Sequence, residues 1–316
     1  MRAGPASGKR APMQRSTRFR TLAVALALAA APHVTGAASP PPAAAPAPPA
    51  DADMRTPDPQ DLLVVDTTKG RVLVELNDAA APETAARVRE LARQGLYNGR
   101  AFFRVIDNFM DQTGDPLDSG MGASSLPNLQ PEFTFRRGQQ TPFVRFTEAS
   151  GLEAGFVGSL PVVAQTMDLA LLTVDHRVDA WGEYCQGVVG MARSDDPASG
   201  NSQFFLMRTN ATAPDHANHA LERQYTAFGR VIAGQDVIDA IKTGEPVPAP
   251  QDRMVTVQVL ADMPAATRPR VRIVDAASPW ARGEAVRLKA ARGADFSICD
   301  LSLPVDVEPG AAAPGH

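Results

Sequence analysis

The segment FFRVIDNFMDQTGDP, Phe102 to Pro116, carries two short apolar runs. AFFRVI (101–106) and FMDQT (109–113) have strand length and composition, and Gly114-Asp115-Pro116 punctuates the second. Within these runs stand Arg104, a permanent cation with several N–H donors, and Gln112, which both donates and accepts. Phe109 and Met110 lie between them in sequence. Singly, an arginine on a strand is a solvated residue and a Phe-Met pair is core. Together they are candidates for a polar group placed at an apolar pocket.

Outward from this segment the same alternation recurs. Short strands fit GVVGMA (187–192), QFFLM (203–207), TAFGRV (226–231) and MVTVQVL (254–260). LLVVDTTKGRVLVEL (62–76) reads as a hairpin, with Gly70 able to take positive φ at the turn. PETAARVRELARQG (82–95) reads as a helix: Pro82 suits its first turn, Gly95 its stop, and Thr84, Val88, Leu91 and Ala92 share a face. GQDVIDAIKTG (234–244) fits a second, shorter helix. This pattern predicts a mainly β fold, a closed antiparallel barrel capped by two helices, although hydrophobic patterning alone leaves a sandwich open.

Three segments in order resolve that choice. FFRVIDNFMDQTGDP resembles the cyclophilin signature, in which an Arg is followed by Phe-Met, then a Gln before Gly-Asp. GVVGMARSDDPASGNSQFFLM (187–207) resembles the family's Met-Ala strand, polar loop and Ser-Gln-Phe-Phe. LERQYTAFGRVIAGQDVIDAI (221–241) is similar to its late strand and helix. Three ordered motifs are specific where one would be weak. The resemblance covers about residues 62–260 and implies a cyclophilin-like barrel domain over residues 61–262. It also implies peptidyl-prolyl cis–trans isomerase (rotamase) activity that needs neither cofactor nor metal, with proline-containing polypeptides as substrates.

By the same resemblance, Arg104 and Gln112 are the catalytic residues. Phe109, Met110, Ala192, Gln203, Phe205, Leu221 and Tyr225 form the substrate-binding set. An X–Pro amide resists rotation by roughly 18–20 kcal/mol. Twisting it returns a lone pair to the prolyl nitrogen, so a fixed donor aimed there favours the transition state.

The chain departs from the family pattern at four places. Ala220 stands where an aromatic residue is common, Tyr225 where a His is common, and Phe103 where a His often precedes the Arg. The fourth is an insertion at about 135–183, whose apolar stretches GFVGSLPVVAQ and LALLTV are unlike a disordered linker. It is expected either to carry a binding surface or to pack on a C-terminal extension, residues 263–316. That extension reads as a small α/β unit: strand VRIVD (271–275), a helix from Ser278-Pro279 to Gly293, and strand FSICDLSLPVDV (296–307), all packed on the barrel.

The N-terminal end carries an expectation about the compartment. Residues 1–38 hold six basic residues, no acid, and the apolar run TLAVALALAAA before Thr35-Gly36-Ala37-Ala38, the pattern of a signal peptide. Met13 is a second candidate start, and no Cys follows the run to take a lipid anchor. The run is too short to be a lasting membrane span. Cleavage would take the formal charge from −4 to −10, which argues against nucleic acid as a partner. Periplasmic or extracellular export is therefore expected. Residues 39–60, rich in Pro and Ala, read as a disordered linker. Cys185 and Cys299 form either a disulfide or a pair of buried thiols.

The expected role is assistance to the folding of exported proteins, a chaperone-like task. The alternatives are a non-catalytic binding module for proline-containing segments and a metal-dependent hydrolase built on Asp215, His216 and His219. Oligomeric state is not legible.

Overall fold

The computed structural model describes residues 47–210 and 221–310. The leader at 1–38, Ala220 and the Asp215/His216/His219 string lie outside the described residues. In chain order, β1 (Met54–Arg55) precedes β2 (Leu62–Thr67), β3 (Gly70–Leu76) and helix α1 (Pro82–Arg93). β4 (Arg104–Ile106) and β5 (Met110–Thr113) follow. Then come β6 (Phe135–Arg137), β7 (Phe143–Ala149), β8 (Leu152–Val157), β9 (Leu160–Gln165) and β10 (Val178–Gly182). β11 (Val188–Met191), β12 (Phe204–Met207), β13 (Ala227–Ala233), α2 (Gln235–Asp239) and β14 (Met254–Val259) lead to β15 (Arg270–Val274), α3 (Pro279–Arg292) and β16 (Val305–Glu308).

The principal sheet runs β14-β2-β3-β13-β11-β12-β5-β4, every neighbour antiparallel. Its two edges approach each other, with Ala101 bridging Arg253 and Val105 bridging Gly244. The Phe102 and Met254 N–H groups donate to Asp252 O and Arg100 O, both at 2.9 Å. The fold is thus mainly β and curled in the manner of a barrel. Leu63, Val65, Val72, Val74, Phe204 and Phe228 fill the inside, together with the buried face of α1. The α1 N-cap, Ala81, has no capping side chain. Glu132 supplies one from a distance, accepting the N–H groups of Glu83 and Thr84 and the Thr84 hydroxyl.

β2 is apolar on both faces, which a barrel with one wet side does not require. The reason is the extension. Leu62 and Val64 point away from the barrel interior into a cluster with Leu73, Leu260, Met263 and Val271. β15 pairs with β16 on one side and β1 on the other. The linker expectation therefore needs correction over residues 51–60. Met54 and Arg55 pair with Val274 and Ile273, the Asp275 N–H donates to Asp53 O, and Arg272 binds Asp51. A short edge strand, not a free tether, completes the extension sheet. The strand expected over 296–307 is also shorter. Ile298–Asp300 forms a 3-10 turn, and only Val305–Glu308 pairs, since Pro304 has no N–H to give. α2 likewise stops at Asp239, before a segment in which Gly244 bridges Val105.

Residues 135–182 form a separate five-stranded antiparallel sheet, order β6-β10-β9-β8-β7. Phe146, Phe156, Leu160, Val162 and Ala180 merge into one cluster with barrel residues Val188, Phe205 and Met207 and extension residues Ile273, Ile298 and Leu301. A Cβ at Gly182 would lie 2.4 Å from the Ala227 Cβ, so this glycine permits β10 to sit against β13. Cys185, just after the insertion, is disulfide-bonded to Cys299 of the extension. No helix among the described residues is long and apolar enough to cross a membrane.

Candidate active site

β4 and β5 place Arg104 directly opposite Gln112, and the next ladder places Gln112 opposite Phe205. Opposed residues of an antiparallel pair share a face, so the three side chains stand side by side. Arg104 Nη1 donates to Gln112 Oε1 (3.2 Å), Gln112 Nε2 donates to Gln203 Oε1 (3.1 Å), and Gln203 Nε2 donates to the carbonyls of Gly122 (2.8 Å) and Gly120 (3.1 Å). Each amide is oriented by its neighbour, and the chain ends on fixed backbone. Arg104 Nε donates to Glu245 Oε1 at 2.6 Å. Nη2 has no acceptor among the described residues, and the side chain keeps 36% of its exposure.

Beside this polar row lies an apolar cluster. Phe109, Met110, Phe205 and Leu221 are buried in it, and Ala192 and Tyr225 pack against it partly exposed. Phe205 meets Tyr225 edge-on at 5.8 Å between centroids and stacks on Tyr184 at 5.9 Å. Arg193, next to Ala192, sits over the rings of Tyr225 (4.5 Å) and Phe133 (5.5 Å). The structure thus brings the sequence-selected residues Arg104, Gln112, Gln203 and the apolar group into one neighbourhood. A groove of about 310 Å³ adjoins it, lined by Gln112, Gln203, Ala192, Arg193, Met121 and Asn201 among others.

Gly120, Met121 and Gly122 of the groove's lining belong to a loop organised by Asp115. Burial pushes the Asp115 carboxyl up, but hydrogen bonds from the N–H groups of Leu117, Ser119, Gly122 and Gly120 outweigh it and hold it below the usual carboxylate range. A Cβ at Gly122 would fall 1.9 Å from Asp115 Oδ1, so a side chain there would have to displace this carboxylate. Four contributors escaped the sequence reading: Glu245, Asp115, Arg193 and Tyr184. Asp115 had a signal, its place in the Gly-Asp-Pro run. Glu245 had none, standing 141 residues from Arg104. Among the described residues no group of three or more His, Cys, Asp or Glu side chains is placed to hold a metal ion.

Residues 62–260 match the family described as cyclophilin type peptidyl-prolyl cis-trans isomerase/CLD. The chain belongs to this family. A probable peptidyl-prolyl cis-trans isomerase of Brucella suis is 33% identical over 198 residues, covering 59% of this chain and 74% of its own length. The peptidyl-prolyl cis-trans isomerase cyp18 of Streptomyces antibioticus is 30% identical over 179 residues, 56% of this chain and 81% of that one. The crystal structure of cyclophilin AquaCyp293 from Hirschia baltica superposes with a TM-score of 0.72 at 32% identity, covering 82% of this chain and 95% of its own. That coverage exceeds residues 62–260, so this cyclophilin relative also shares fold beyond the region common to the family.

Proposed function

We propose that this cyclophilin-type isomerase accelerates X–Pro rotation in exported polypeptides through Arg104, with Gln112 and Gln203 as its positioning row. The single observation that carries this reading is the hydrogen-bonded series Arg104–Gln112–Gln203 set beside Phe109, Met110 and Phe205.

The chemistry follows from the amide. The planar form is charge-separated, and an apolar pocket for the proline ring disfavours it relative to the twisted form. As the bond twists, the prolyl nitrogen regains its lone pair, and Arg104 Nη2, which no described residue accepts from, is the donor that meets it. Nε on Glu245 and Nη1 on Gln112 hold the guanidinium plane, so little reorganisation is needed at the moment of rotation. Gln112 and Gln203 also offer polar edges to the substrate main chain. Ala192 leaves room for the residue before proline. Raising a rate from ~0.01 to ~100 per second takes about 5.4 kcal/mol, within reach of one oriented charged donor plus desolvation.

The basic, acid-free leader before residue 38 supports export to the periplasm or beyond, where slow proline isomerisation limits the folding of newly exported proteins. The experiment is a coupled isomerisation assay on X–Pro tetrapeptides, run beside fractionation of cells expressing the full chain. Rate enhancement together with an envelope or secreted location supports the proposal. No enhancement on any peptide rejects the catalytic part, and a cytoplasmic location rejects the export part.

A further inference from the structure

Arg230, on β13, is a cation in the wrong place for an ordinary surface arginine. It stands across the β3–β13 ladder from Glu75. Glu75 does not serve it, because Arg55 of the N-terminal strand takes both Glu75 oxygens, at 2.7 and 2.8 Å. Among the described residues Arg230 has one neutral acceptor, the Ser159 carbonyl at 3.2 Å, and the Phe156 ring 5.8 Å away. A guanidinium has five N–H donors, and even a half-buried cation without a counter-charge is desolvated at a cost. Desolvation pulls the Arg230 pKa down to about 10.

Arg230 lines a cavity of about 230 Å³ where the barrel, the inserted sheet and the C-terminal extension meet. Ser159 comes from the turn between β8 and β9, Ser302 from the extension, and Gln186 and Gln235 from the barrel's connections. Gln235 Oε1 is buried without a donor. The acid of the lining, Asp236, is exposed and forms no ion pair with Arg230. A guanidinium with no carboxylate partner among the described residues, with hydroxyls and amides around a space that size, is a set of groups suited to a compact oxyanion.

We propose that this junction is an oxyanion-binding site, taking a phosphate group on Arg230, and that its occupancy ties the insertion and the extension to the barrel. The site is separate from the Arg104 row and shares none of its residues.

The test uses the oxidised protein and thermal unfolding at fixed ionic strength, exchanging chloride for inorganic phosphate. With a Kd near 0.1 mM, roughly 10 mM phosphate raises the melting midpoint by at least about 3 °C. Glycerol 3-phosphate is run in parallel. A response to inorganic phosphate identifies the free ion as ligand, and a response to the ester alone identifies a substituted phosphate. Arg230→Met should abolish the response and leave isomerase activity unchanged. Should that variant fail to fold, Ser302→Glu places a carboxylate from an exposed position near Arg230. It should raise the midpoint without phosphate and remove the phosphate response. No response of the wild type to either anion overturns the proposal, as does an undiminished response in either variant.

Discussion

Arg104 and Glu245 are joined at 2.6 Å, Nε to Oε1, across 141 residues of sequence. This contact fixes one edge of the guanidinium while Gln112 fixes another, so Nη2, which has no acceptor among the described residues, is aimed by two independent neighbours. Arg104→Ala is expected to lower kcat/KM by roughly 100-fold or more, the usual cost of removing an oriented transition-state donor. Substrate affinity should change little. Glu245→Gln keeps a hydrogen-bond acceptor but loses the charge, and a loss of about three- to tenfold, confined to kcat, is expected. Both are read in a coupled isomerisation assay. An Arg104→Ala variant with wild-type turnover would remove Arg104 from the mechanism.

Phe205 has its position because residue 190 is glycine. The two face each other across the β11–β12 ladder, and a Cβ at 190 would come 2.4 Å from Phe205 Cζ. Gly190→Ala must therefore push the ring toward Tyr184 and Tyr225. The expected outcome is a fall of about tenfold in kcat/KM with a stability loss of roughly 1–3 kcal/mol, typical of overpacking. Denaturant unfolding and peptide kinetics check the two effects separately. Unchanged kinetics would mean that the position of Phe205 does not matter to the reaction.

The parts of this architecture visible in sequence were those fixed by local chemistry. The β2–β3 hairpin was legible because the turn needs a residue at positive φ and Gly70 provides it (φ 143°). α1 was legible from its apolar face, although its cap was not, because Glu132 arrives from 48 residues away. Arg104 and Gln112 could be paired from motif order, but Glu245 could not, since nothing near 245 marks a return to β4. The order of residues 51–60 was hidden for another reason. A two-residue edge strand has no periodicity, and the Pro/Ala composition before it dominates any window. The run Leu62–Val65 did hold a clue: four consecutive buried apolar residues require cover on both faces, and the extension supplies the outer one.

The Cys185–Cys299 bond closes a loop of 114 residues and links the segment after the insertion to the extension. Constraint of so long a loop in the unfolded chain is worth about 3–5 kcal/mol. Replacing both cysteines by Ser, or unfolding under reductant, should lower the unfolding free energy by roughly that amount in guanidinium titrations. Isomerase activity of the folded variant should persist, because neither sulfur belongs to the Arg104 row. Unfolding curves that superpose with and without reductant would contradict this.

Glu183, between Gly182 of β10 and the Phe205-stacked Tyr184, sets a pH dependence whose sign can be worked out. Burial, and secondarily the charge of Glu222, push its carboxyl up to about 7. In the unfolded chain the group titrates near its ordinary value of 4.5. Below that value both states bind the proton, and Glu183 contributes no pH dependence. Between about 4.5 and 7 the unfolded chain has released the proton while the native protein keeps it, so this group lowers stability progressively as pH rises. Above about 7 the native protein must hold the charge, and the loss is complete. Glu183→Gln removes the titration. The variant should therefore gain stability relative to wild type as pH climbs from 5 to 8, with little relative gain below pH 4.5. Urea unfolding of both proteins at pH 4, 5, 6, 7 and 8 measures the difference. A difference that stays flat across the series, or that shrinks toward pH 8, would mean that desolvation does not hold the Glu183 proton.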